Sequence, residues 1–438
     1  MNNKSFTLIE LLVVIVIIGI LAGVIMISTS SSISKANLAK AQAFSSNMQN
    51  SMFSNIAGSW KFDELGNNVL LNSNFNSDFT SGIANSWSSS GTGTFTEETS
   101  IVRSGSAQKI VATNNGQIRQ NITLMAGKTY KFTAWIYVIS ALSDNPRISL
   151  YTYQSFSGDK TLVGKWQQMT GLYTVTTTQS YTLYVGMLIS GSTGTYIIDD
   201  VSVEELDIKD EAGVNSGIVG CYGTPCTYPE YHDKNSNNCV NGGCFKFYGD
   251  DTGTIYNYIN IPLSNSLKLK RSITLSAWGK FTGNATSSFV ASDRYILNMD
   301  SGRKLYFNIY NGAWSATTYA QAVSADFISN WHFYVATYDY DTGFVKLYID
   351  GEIQTLTTGL KENSVGQVEA SDPTDFRIGK MWDWDMDGYI DEVGVYNKSL
   401  SQAKIKQDYI AGLDSLLSNG NISKEDYNER INELAYEK

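Results

Sequence analysis

Residues 4–24 read KSFTLIELLVVIVIIGILAGV, and they are part of an apolar run that extends from Leu8 to Ile27. A helix rises ~1.5 Å per residue, so about 20 apolar residues span the ~30 Å of hydrocarbon in a bilayer. Glu10 is the acidic residue within this run. A charged group at bilayer depth costs roughly 2.5 kcal/mol or more, so an acid in this position has a partner and a function, or else reaches the headgroups. The stretch predicts a membrane helix with a functional carboxylate.

The same residues resemble the N-terminal segment of type IV pilins and pseudopilins, with a short leader (1–5), a small residue and then F-T-L-I-E. The resemblance implies cleavage by a prepilin peptidase between Ser5 and Phe6 and methylation of the new amine of Phe6. Ser5 replaces the glycine usual before the cut. In that family the acid corresponding to Glu10 pairs with the N-terminal amine of a neighbouring subunit. Other pilin subunits, the peptidase and the membrane are therefore the expected partners.

A long helical rod is expected after the membrane run. Residues 28–56 contain no Pro or Gly, and their apolar side chains recur at helical intervals. We therefore predict one transmembrane and rod helix over 6–56, followed by an extracytoplasmic head.

Bulk composition limits the partners and the redox state of the head. The 438-residue chain has a formal net charge of −10, so binding to nucleic acid is not expected. The four cysteines lie in one short segment as two C-x4-C pairs, and we predict disulfides because the segment lies outside the cytoplasm. Three pairings are open, with the two local pairs favoured. The residues are Cys221, Cys226, Cys239 and Cys244.

Most of the head resembles a laminin-G-like, concanavalin-A-type β-sandwich. The motif pieces occur in the order of that family: GSWKFDE (58–64), DIKDEAG (207–213), SITLSAWGKF (272–281), NWHFYVATYD (330–339), FVKLYIDGE (344–352) and GYIDEVGVYN (388–397). We assign residues 57–68 and 207–399 to this domain.

The interruption, residues 69–206, resembles a carbohydrate-binding module of the galactose-binding jelly-roll type. VLLNSNF, KTYKFTAWIYV and the closing YIIDDVSV occur in that family's order. Insertion is plausible because the ends of a compact domain usually lie close together. Residues 400–438 read as two short amphipathic helices, with Gly420 ending the first and Ser423 capping the second. The expected fold is thus multidomain and mainly β.

Strand alternation in the jelly roll points to aromatic side chains that face away from its core. In TYKFTAWIYV the core set is Tyr130, Phe132, Ala134 and Ile136, and the same reasoning applies to RISLYTYQ and YTLYVGML. We predict that five outward aromatics share one surface, either as a platform for an extracellular glycan or as packing against the other domain. They are Trp135, Tyr137, Tyr151, Tyr153 and Tyr184.

A second constellation is the acidic run DWDMDGYIDE at 383–392. Alternating acids before a glycine are typical of the first half of a calcium loop, but Gly394 stands where an EF-hand requires Glu. The residues predicted as Ca²⁺ ligands, with a solvated acidic turn as the alternative, are Asp383, Asp385, Asp387 and Asp391.

These features predict a pilin-like cell-surface protein that presents a lectin-like head for carbohydrate or surface adhesion, as a minor or tip subunit of a fibre. The first alternative is a structural pseudopilin of a secretion or uptake machine, without a glycan ligand. The second is a tethered polysaccharide hydrolase, which we do not expect because no E-x-D-x-x-E pair of catalytic carboxylates occurs.

Overall fold

The structure is a computed structural model. It describes residues 55–63, 65–76, 78–150, 155–157, 162–213, 215–222, 227–233, 238–249, 256–283, 287–310, 314–321, 329–367, 369–382 and 384–436. The predicted leader and almost all of the predicted 6–56 helix, with Ser5, Phe6 and Glu10, lie outside these residues. Ile56 is not helical but begins the first strand. No helix within the described ranges is long and apolar enough to cross a bilayer.

Residues 56–438 form one compact unit that contains two β domains. The strands before and within the jelly roll are β1 (Ile56–Trp60), β2 (Leu65–Asn68), β3 (Phe79–Thr80), β4 (Ile83–Ala84), β5 (Ser88–Glu98), β6 (Ala107–Leu124), β7 (Thr129–Val138), β8 (Arg147–Ser149), β9 (Ser155–Ser157), β10 (Trp166–Thr174), β11 (Gln179–Gly186) and β12 (Gly194–Leu206).

The strands that follow the jelly roll are β13 (Ile218–Tyr222), β14 (Glu230–His232), β15 (Cys244–Tyr248), β16 (Tyr256–Asn260), β17 (Ile273–Phe281), β18 (Ser287–Ser292), β19 (Tyr295–Met299), β20 (Lys304–Tyr310), β21 (Trp314–Gln321), β22 (His332–Asp339), β23 (Phe344–Ile349), β24 (Glu352–Ile353), β25 (Asn363–Ser364), β26 (Phe376–Ile378), β27 (Lys380–Met381), β28 (Trp384–Asp385) and β29 (Asp387–Tyr396). Two helices, α1 (Gln402–Ser418) and α2 (Lys424–Tyr436), end the described chain.

Two antiparallel sheets form the sandwich. The first runs β14-β15-β29-β17-β22-β23-β24, with β1 also paired to β29, and the second runs β13-β16-β26-β18-β19-β20-β21. Alternate side chains of both sheets meet in one apolar core, which includes Trp60, Phe247, Leu275, Leu297 and Phe376. The concanavalin-A-like sandwich predicted from the sequence is confirmed.

A buried polar network joins the two parts of the sandwich across the interruption. Asp210 is completely buried, and its Oδ1 accepts hydrogen bonds from the backbone N–H groups of Ser59 (2.8 Å) and Ala212 (2.9 Å). Its Oδ2 accepts from Asn215 Nδ2 at 2.6 Å, and the indole N–H of Trp60 donates to the Asn215 carbonyl at 2.9 Å. The carboxylate therefore fixes β1 to the chain that returns 150 residues later.

The inserted jelly roll begins and ends at the same place. Leu65 in β2 pairs with Leu206 in β12, so the two ends of the insertion are cross-strand neighbours. This pairing places Leu65–Asn68 with the jelly roll, whereas the sequence assigned these residues to the sandwich. The pattern GNN carried no apolar alternation that could have indicated the partner sheet.

The jelly-roll sheet is folded over on itself along β6. The first part of β6 pairs with β12, and the last part, from Gln117 to Leu124, pairs with β11. The bend lies between them, where Asn115 has a φ of 39°. The first half-sheet is β10-β7-β12 with the start of β6, and the second half-sheet is the end of β6 with β11-β8-β9. The rings of Phe132 and Phe156, one from each half-sheet, lie 5.3 Å apart in the core between them.

The two C-terminal helices pack on the outer face of the first sandwich sheet, as the sequence predicted two short helices. Tyr409 of α1 stacks on Trp278 with ring centroids 5.5 Å apart. A side chain at Gly412 would meet the same ring, since an added Cβ would lie 2.2 Å from Trp278 Cζ2. The Ser423 hydroxyl accepts a hydrogen bond from Asp426 N at 3.1 Å and caps α2.

A disulfide joins Cys239 to Cys244, one of the two local pairs considered from the sequence. Cys221 is also in a disulfide, and Cys226 lies outside the described residues. The loop closed by Cys239 and Cys244 is held against β29, because the backbone N–H groups of Val240 and Asn241 donate to Asp391 Oδ2 at 2.9 and 3.1 Å.

Candidate glycan-binding face

A row of polar and aromatic residues lies on the side of the second half-sheet that faces away from its core, and Ser149 in this row is 2% exposed. The register aligns Ser88, Arg119, Tyr184, Ser149 and Ser155 across β5, β6, β11, β8 and β9. The intervening residues Ile118, Leu183, Val185 and Ile148 are buried in the core, so the aligned set points away from it. We call this surface the Tyr184 face. It comprises Gln117, Arg119, Asn121, Arg147, Ser149, Thr182 and Tyr184.

Gly186 is the central residue of the next cross-strand row. Gly186 lies between Gln117 on β6 and Arg147 on β8. Its φ is 137°, and an added Cβ would lie 2.4 Å from the Tyr196 hydroxyl and 2.9 Å from Gln117 Cα. Any other residue at this position would be strained and crowded, so no side chain stands between Gln117 and Arg147 in this row.

The side chains on either side of Gly186 each have a buried polar atom with no hydrogen-bond partner among the described residues. Gln117 is 5% exposed; its Nε2 lies 3.4 Å from Ser90 Oγ, and its Oε1 accepts no hydrogen bond. Arg147 donates to Asp144 Oδ1 at 3.0 Å through a terminal nitrogen, and its Nε has no acceptor. An unmade hydrogen bond to a buried group costs ~1–3 kcal/mol. A hydroxyl can donate and accept at once, so a hydroxylated ligand matches this pair.

The aromatic group of this surface is Tyr184, with Arg119 and Ser149 as its cross-strand neighbours. Aromatic rings bury the C–H surface of a sugar, and guanidinium and amide groups donate to its hydroxyls. The Thr182 hydroxyl and the Asn121 side-chain oxygen are 2.9 Å apart and extend the polar surface along the same strands. The Tyr184 face therefore combines stacking and hydrogen-bonding groups suited to a saccharide.

The predicted five-residue aromatic surface is not present as one surface. Trp135 and Tyr137 belong to β7 in the first half-sheet, and Tyr184 belongs to β11 in the second. Because the core lies between the half-sheets, their outer faces point in opposite directions. Alternation identified which side of each strand is buried, but the fold along β6 separates the exposed sides. Tyr151 and Tyr153 lie outside the described residues.

Trp135 is covered by a guanidinium group. Arg103 Cζ lies 3.6 Å from the centroid of the Trp135 ring, and Arg103 Nε makes a 2.9 Å ion pair with Asp200 Oδ2. Tyr137 contacts Trp166 of the neighbouring strand edge-on, with ring centroids 5.5 Å apart. These contacts hold the two aromatics within the first half-sheet.

The other end of the same outer face packs against the sandwich. Lys131 is 6% exposed, and its Nζ lies 3.2 Å from Asp233 Oδ2 and 5.2 Å from the Tyr231 ring. Thr174 Oγ1 donates to the Val219 carbonyl at 2.8 Å. This end of the face matches the packing alternative, so the first half-sheet joins the two domains and the Tyr184 face is the candidate site.

Three of the four acids predicted as calcium ligands contribute to separate networks. Asp385 makes a buried ion pair with Lys380 Nζ at 2.6 Å. Asp387 Oδ1 accepts from Thr282 Oγ1 at 2.8 Å, and Asp391 accepts the N–H groups of the disulfide loop. Asp383 lies outside the described residues, and no group of three potential metal ligands occurs in the part of the chain that is described. The calcium site stays a prediction.

Sequence reasoning missed the polar members of the Tyr184 face. Gln117, Arg119 and Asn121 alternate with Ile118, Gln120 and Ile122 along β6. That alternation was present in QIRQNIT, but only the pairing of β6 with β11 and of β11 with β8 brings these residues beside Tyr184 and Arg147.

Three family matches describe the chain. Residues 67–189 match a carbohydrate-binding domain, residues 251–406 match the concanavalin-A-like lectin/glucanases superfamily in its laminin-G form, and residues 1–26 match the prokaryotic N-terminal methylation motif. The chain therefore combines a type IV pilin-type methylation motif with a laminin-G-like domain and a carbohydrate-binding jelly roll, as the sequence predicted. It is in this sense a surface protein with a carbohydrate-binding head.

Solved structures show more distant likeness. The receptor-binding domain of botulinum neurotoxin C/D mosaic serotype is 16% identical with a TM-score of 0.36, covering 47% of this chain and 48% of that one. The serotype G binding domain is 12% identical with a TM-score of 0.35, covering 46% and 47%. The chain thus spans about half the length of these domains. The sialidase CBM40 of Ruminococcus gnavus bound to α2,3 sialyllactose is 15% identical with a TM-score of 0.28, covering 33% and 85%. No curated protein matches the chain.

Proposed function

We propose that the protein is a fibre subunit that binds a glycan through the Tyr184 face of its jelly roll. The observation that carries the proposal is the pair of neighbouring cross-strand rows that place Tyr184 and Arg119 beside Gln117 and Arg147. Two of these side chains hold buried polar atoms that a ligand hydroxyl would satisfy. The match of residues 67–189 to a carbohydrate-binding domain supports the same assignment.

The proposed role is binding without hydrolysis. The described side chains of the face are hydroxyls, amides, guanidinium groups and one phenol. These groups stack and hydrogen-bond, whereas glycoside hydrolysis uses two carboxyl groups placed about the scissile bond. We therefore assign recognition, rather than catalysis, to the head.

The N-terminal segment would supply anchoring and assembly. We propose cleavage between Ser5 and Phe6, methylation of Phe6, and pairing of Glu10 with the N-terminal amine of a neighbouring subunit. The match of residues 1–26 to the methylation motif supports this proposal. A head of two β domains is large for close helical packing, which favours a minor or tip subunit at the cell surface.

The test is glycan-array binding by the full-length protein in detergent. Loss of a charge-assisted hydrogen bond costs ~1.5–3 kcal/mol, so Arg119→Ala is expected to weaken binding about 10-fold or more. Tyr184→Ala removes the ring that stacks on the sugar and is also expected to weaken binding. Arg271→Ala and Tyr222→Ala are matched controls, because both are exposed residues of the sandwich. Unchanged binding in the Arg119→Ala, Tyr184→Ala double variant would contradict the glycan assignment and favour a structural pseudopilin.

Processing is tested separately by mass spectrometry of the mature protein. We expect a chain that begins at N-methylated Phe6. A mature protein that still begins at Met1 would remove the fibre role and leave a tethered binding head.

A further inference from the structure

A row of charged and aromatic residues crosses the outer face of the first sandwich sheet. The register aligns Glu230 of β14, Lys246 of β15, Tyr389 of β29 and Lys280 of β17. The residues beside them in sequence, such as Phe245, Phe247 and Ile390, are buried in the sandwich core. The aligned side chains therefore point to the opposite surface, which we call the lysine row (Glu230, Lys246, Tyr389 and Lys280).

Both lysines of the row lie against aromatic rings. Lys280 Nζ is 4.4 Å from the Tyr389 centroid and 5.3 Å from the Trp331 centroid. Lys246 Nζ is 4.6 Å from the Tyr248 centroid and 5.7 Å from the same Tyr389 ring. Two ammonium groups thus share one tyrosine. Cation–π contacts of this kind attract the ammonium groups to the rings and restrict the positions of the charges.

The positive charge of the row is only partly offset within the described residues: Glu230 is attracted to Lys246, and no acid is paired with Lys280 there. Neither Lys246 nor Lys280 makes an ion pair there, although the chain has a net charge of −10. Burial lowers the pKa of Lys280, and Lys246 adds to this effect. The one acid of the row, Glu230, is engaged by His232 and by the Tyr248 hydroxyl. A half-buried ammonium group without a counterion is stabilised by any anion that reaches it.

The C-terminal helices border this surface. Tyr409 of α1 covers Trp278, two residues before Lys280 on β17. Arg430 of α2 donates to the backbone carbonyl of Trp331 at 2.8 Å, and the Trp331 indole N–H donates to the Asn238 carbonyl at 2.9 Å. The lysine row therefore lies on a sheet whose outer face is contacted by both C-terminal helices.

We propose that the lysine row binds the carboxylate of an acidic saccharide, at a site separate from the Tyr184 face. The two lysines supply the countercharge, and the Tyr248 and Tyr389 rings lie beside them to meet the sugar. Adjacent strands are ~4.8 Å apart, so groups along the row recur at intervals close to the size of one sugar ring. This inference does not depend on the proposed glycan binding by the jelly roll.

The position of the row argues against other anionic partners. Its lysines lie on the interior strands β15 and β17 and project from the face of the sheet, whereas an extended peptide adds to a sheet edge. Nucleic-acid binding uses a broad basic stripe, and this row offers two lysines in an acidic chain. An acidic saccharide requires only a local pair of cations with rings beside them.

The experiment is calorimetric titration of the full-length protein in detergent. The probes are tetramers of galacturonate and of hyaluronan, each compared with its own methyl ester, which keeps the rings and removes the charge. We expect at least one acidic tetramer to bind at least 10-fold more tightly than its ester and to lose binding in 0.5 M NaCl. Lys280→Met and Lys246→Met should each weaken binding at least 5-fold, whereas Lys280→Arg should retain it.

Lys346→Met and Tyr184→Ala are the controls. Lys346 lies on β23 of the same sheet and pairs with Glu362 at 3.0 Å, away from the lysine row. Neither control should change uronate binding, which separates this site from the jelly-roll site. The proposal is overturned if neither acidic tetramer binds, if the esters bind equally well, or if the Lys280 and Lys246 variants bind like the wild type. Tighter lysine-dependent binding of an oligonucleotide or an acidic peptide would also overturn the saccharide assignment.

Discussion

Replacing Asp210 with alanine should unfold the sandwich at a markedly lower temperature. Asp210 is completely buried and accepts four hydrogen bonds, from Ser59 N (2.8 Å), Ala212 N (2.9 Å), Asn215 N (3.2 Å) and Asn215 Nδ2 (2.6 Å). The truncation leaves these donors without their acceptor. Each unsatisfied buried donor costs ~1–3 kcal/mol, and water entering the space recovers part of the loss.

We therefore expect Asp210→Ala to lower the free energy of unfolding by roughly 3–5 kcal/mol, a large fraction of the ~5–15 kcal/mol typical of a domain. For a domain of about 200 residues this corresponds to a fall in Tm of roughly 10 °C. Trp60 reports on the site because its indole N–H donates to the Asn215 carbonyl at 2.9 Å.

The assay is guanidinium and thermal unfolding of the full-length protein in detergent, followed by tryptophan fluorescence. Asp372→Ala is the matched control, because Asp372 is 54% exposed and forms a surface ion pair with Lys270. That substitution should cost less than about 0.5 kcal/mol. If Asp210→Ala unfolds within about 1 kcal/mol of the wild type, the buried carboxylate does not fix β1 to the returning chain and the reasoning is refuted.

His232, whose Nε2 lies 3.6 Å from Glu230 Oε1, and the Tyr248 hydroxyl, which donates to Glu230, lower the pKa of this carboxyl to about 2. Glu230 therefore contributes stability above pH ~4.5 that is lost as the pH falls toward 2. Glu230→Gln should reduce the loss of stability between pH 5 and 3 in denaturant titrations. The disulfide between Cys239 and Cys244 closes a short loop. Replacing both residues with Ser should lower the free energy of unfolding by about 2 kcal/mol. Reductant should then have no further effect on that loop. Gly412→Ala places a Cβ 2.2 Å from Trp278 Cζ2. The substitution should destabilise the protein by about 1–3 kcal/mol and alter its tryptophan fluorescence. An unchanged Tm and spectrum would show that α1 shifts without a cost in stability.

The sequence alone predicted the faces of individual strands well. The residues chosen as the core side of β7, Tyr130, Phe132, Ala134 and Ile136, are all buried. Alternation within a strand is a local property, because successive side chains point to opposite faces whatever the strand pairs with. The fold class follows from the same local patterns together with ordered motifs.

Pairing between strands distant in the chain determines which outward side chains share a surface, and the sequence patterns did not predict that pairing. Trp135 and Tyr184 each face outward, but whether they share a surface depends on the bend in β6, which separates their strands. Similarly, the acids at 385–391 have the spacing of a calcium loop, yet Lys380 neutralises Asp385 and a loop 150 residues earlier binds Asp391. Partners distant in the chain leave no periodic signal.

Placing β1 ahead of the jelly roll determines how mechanical load passes through the head. Tension between the N-terminal segment and a ligand held on the jelly roll would travel along residues 56–65 and would pull β1 from both ends. Antiparallel pairing with β29 sets the hydrogen bonds of β1 against lengthwise shear, so several of them must yield together. Most strands of the sandwich follow the jelly roll in the chain, so they lie outside the segment that would carry this tension. Under such a load, β1 would separate from β29 before the rest of either domain unfolds.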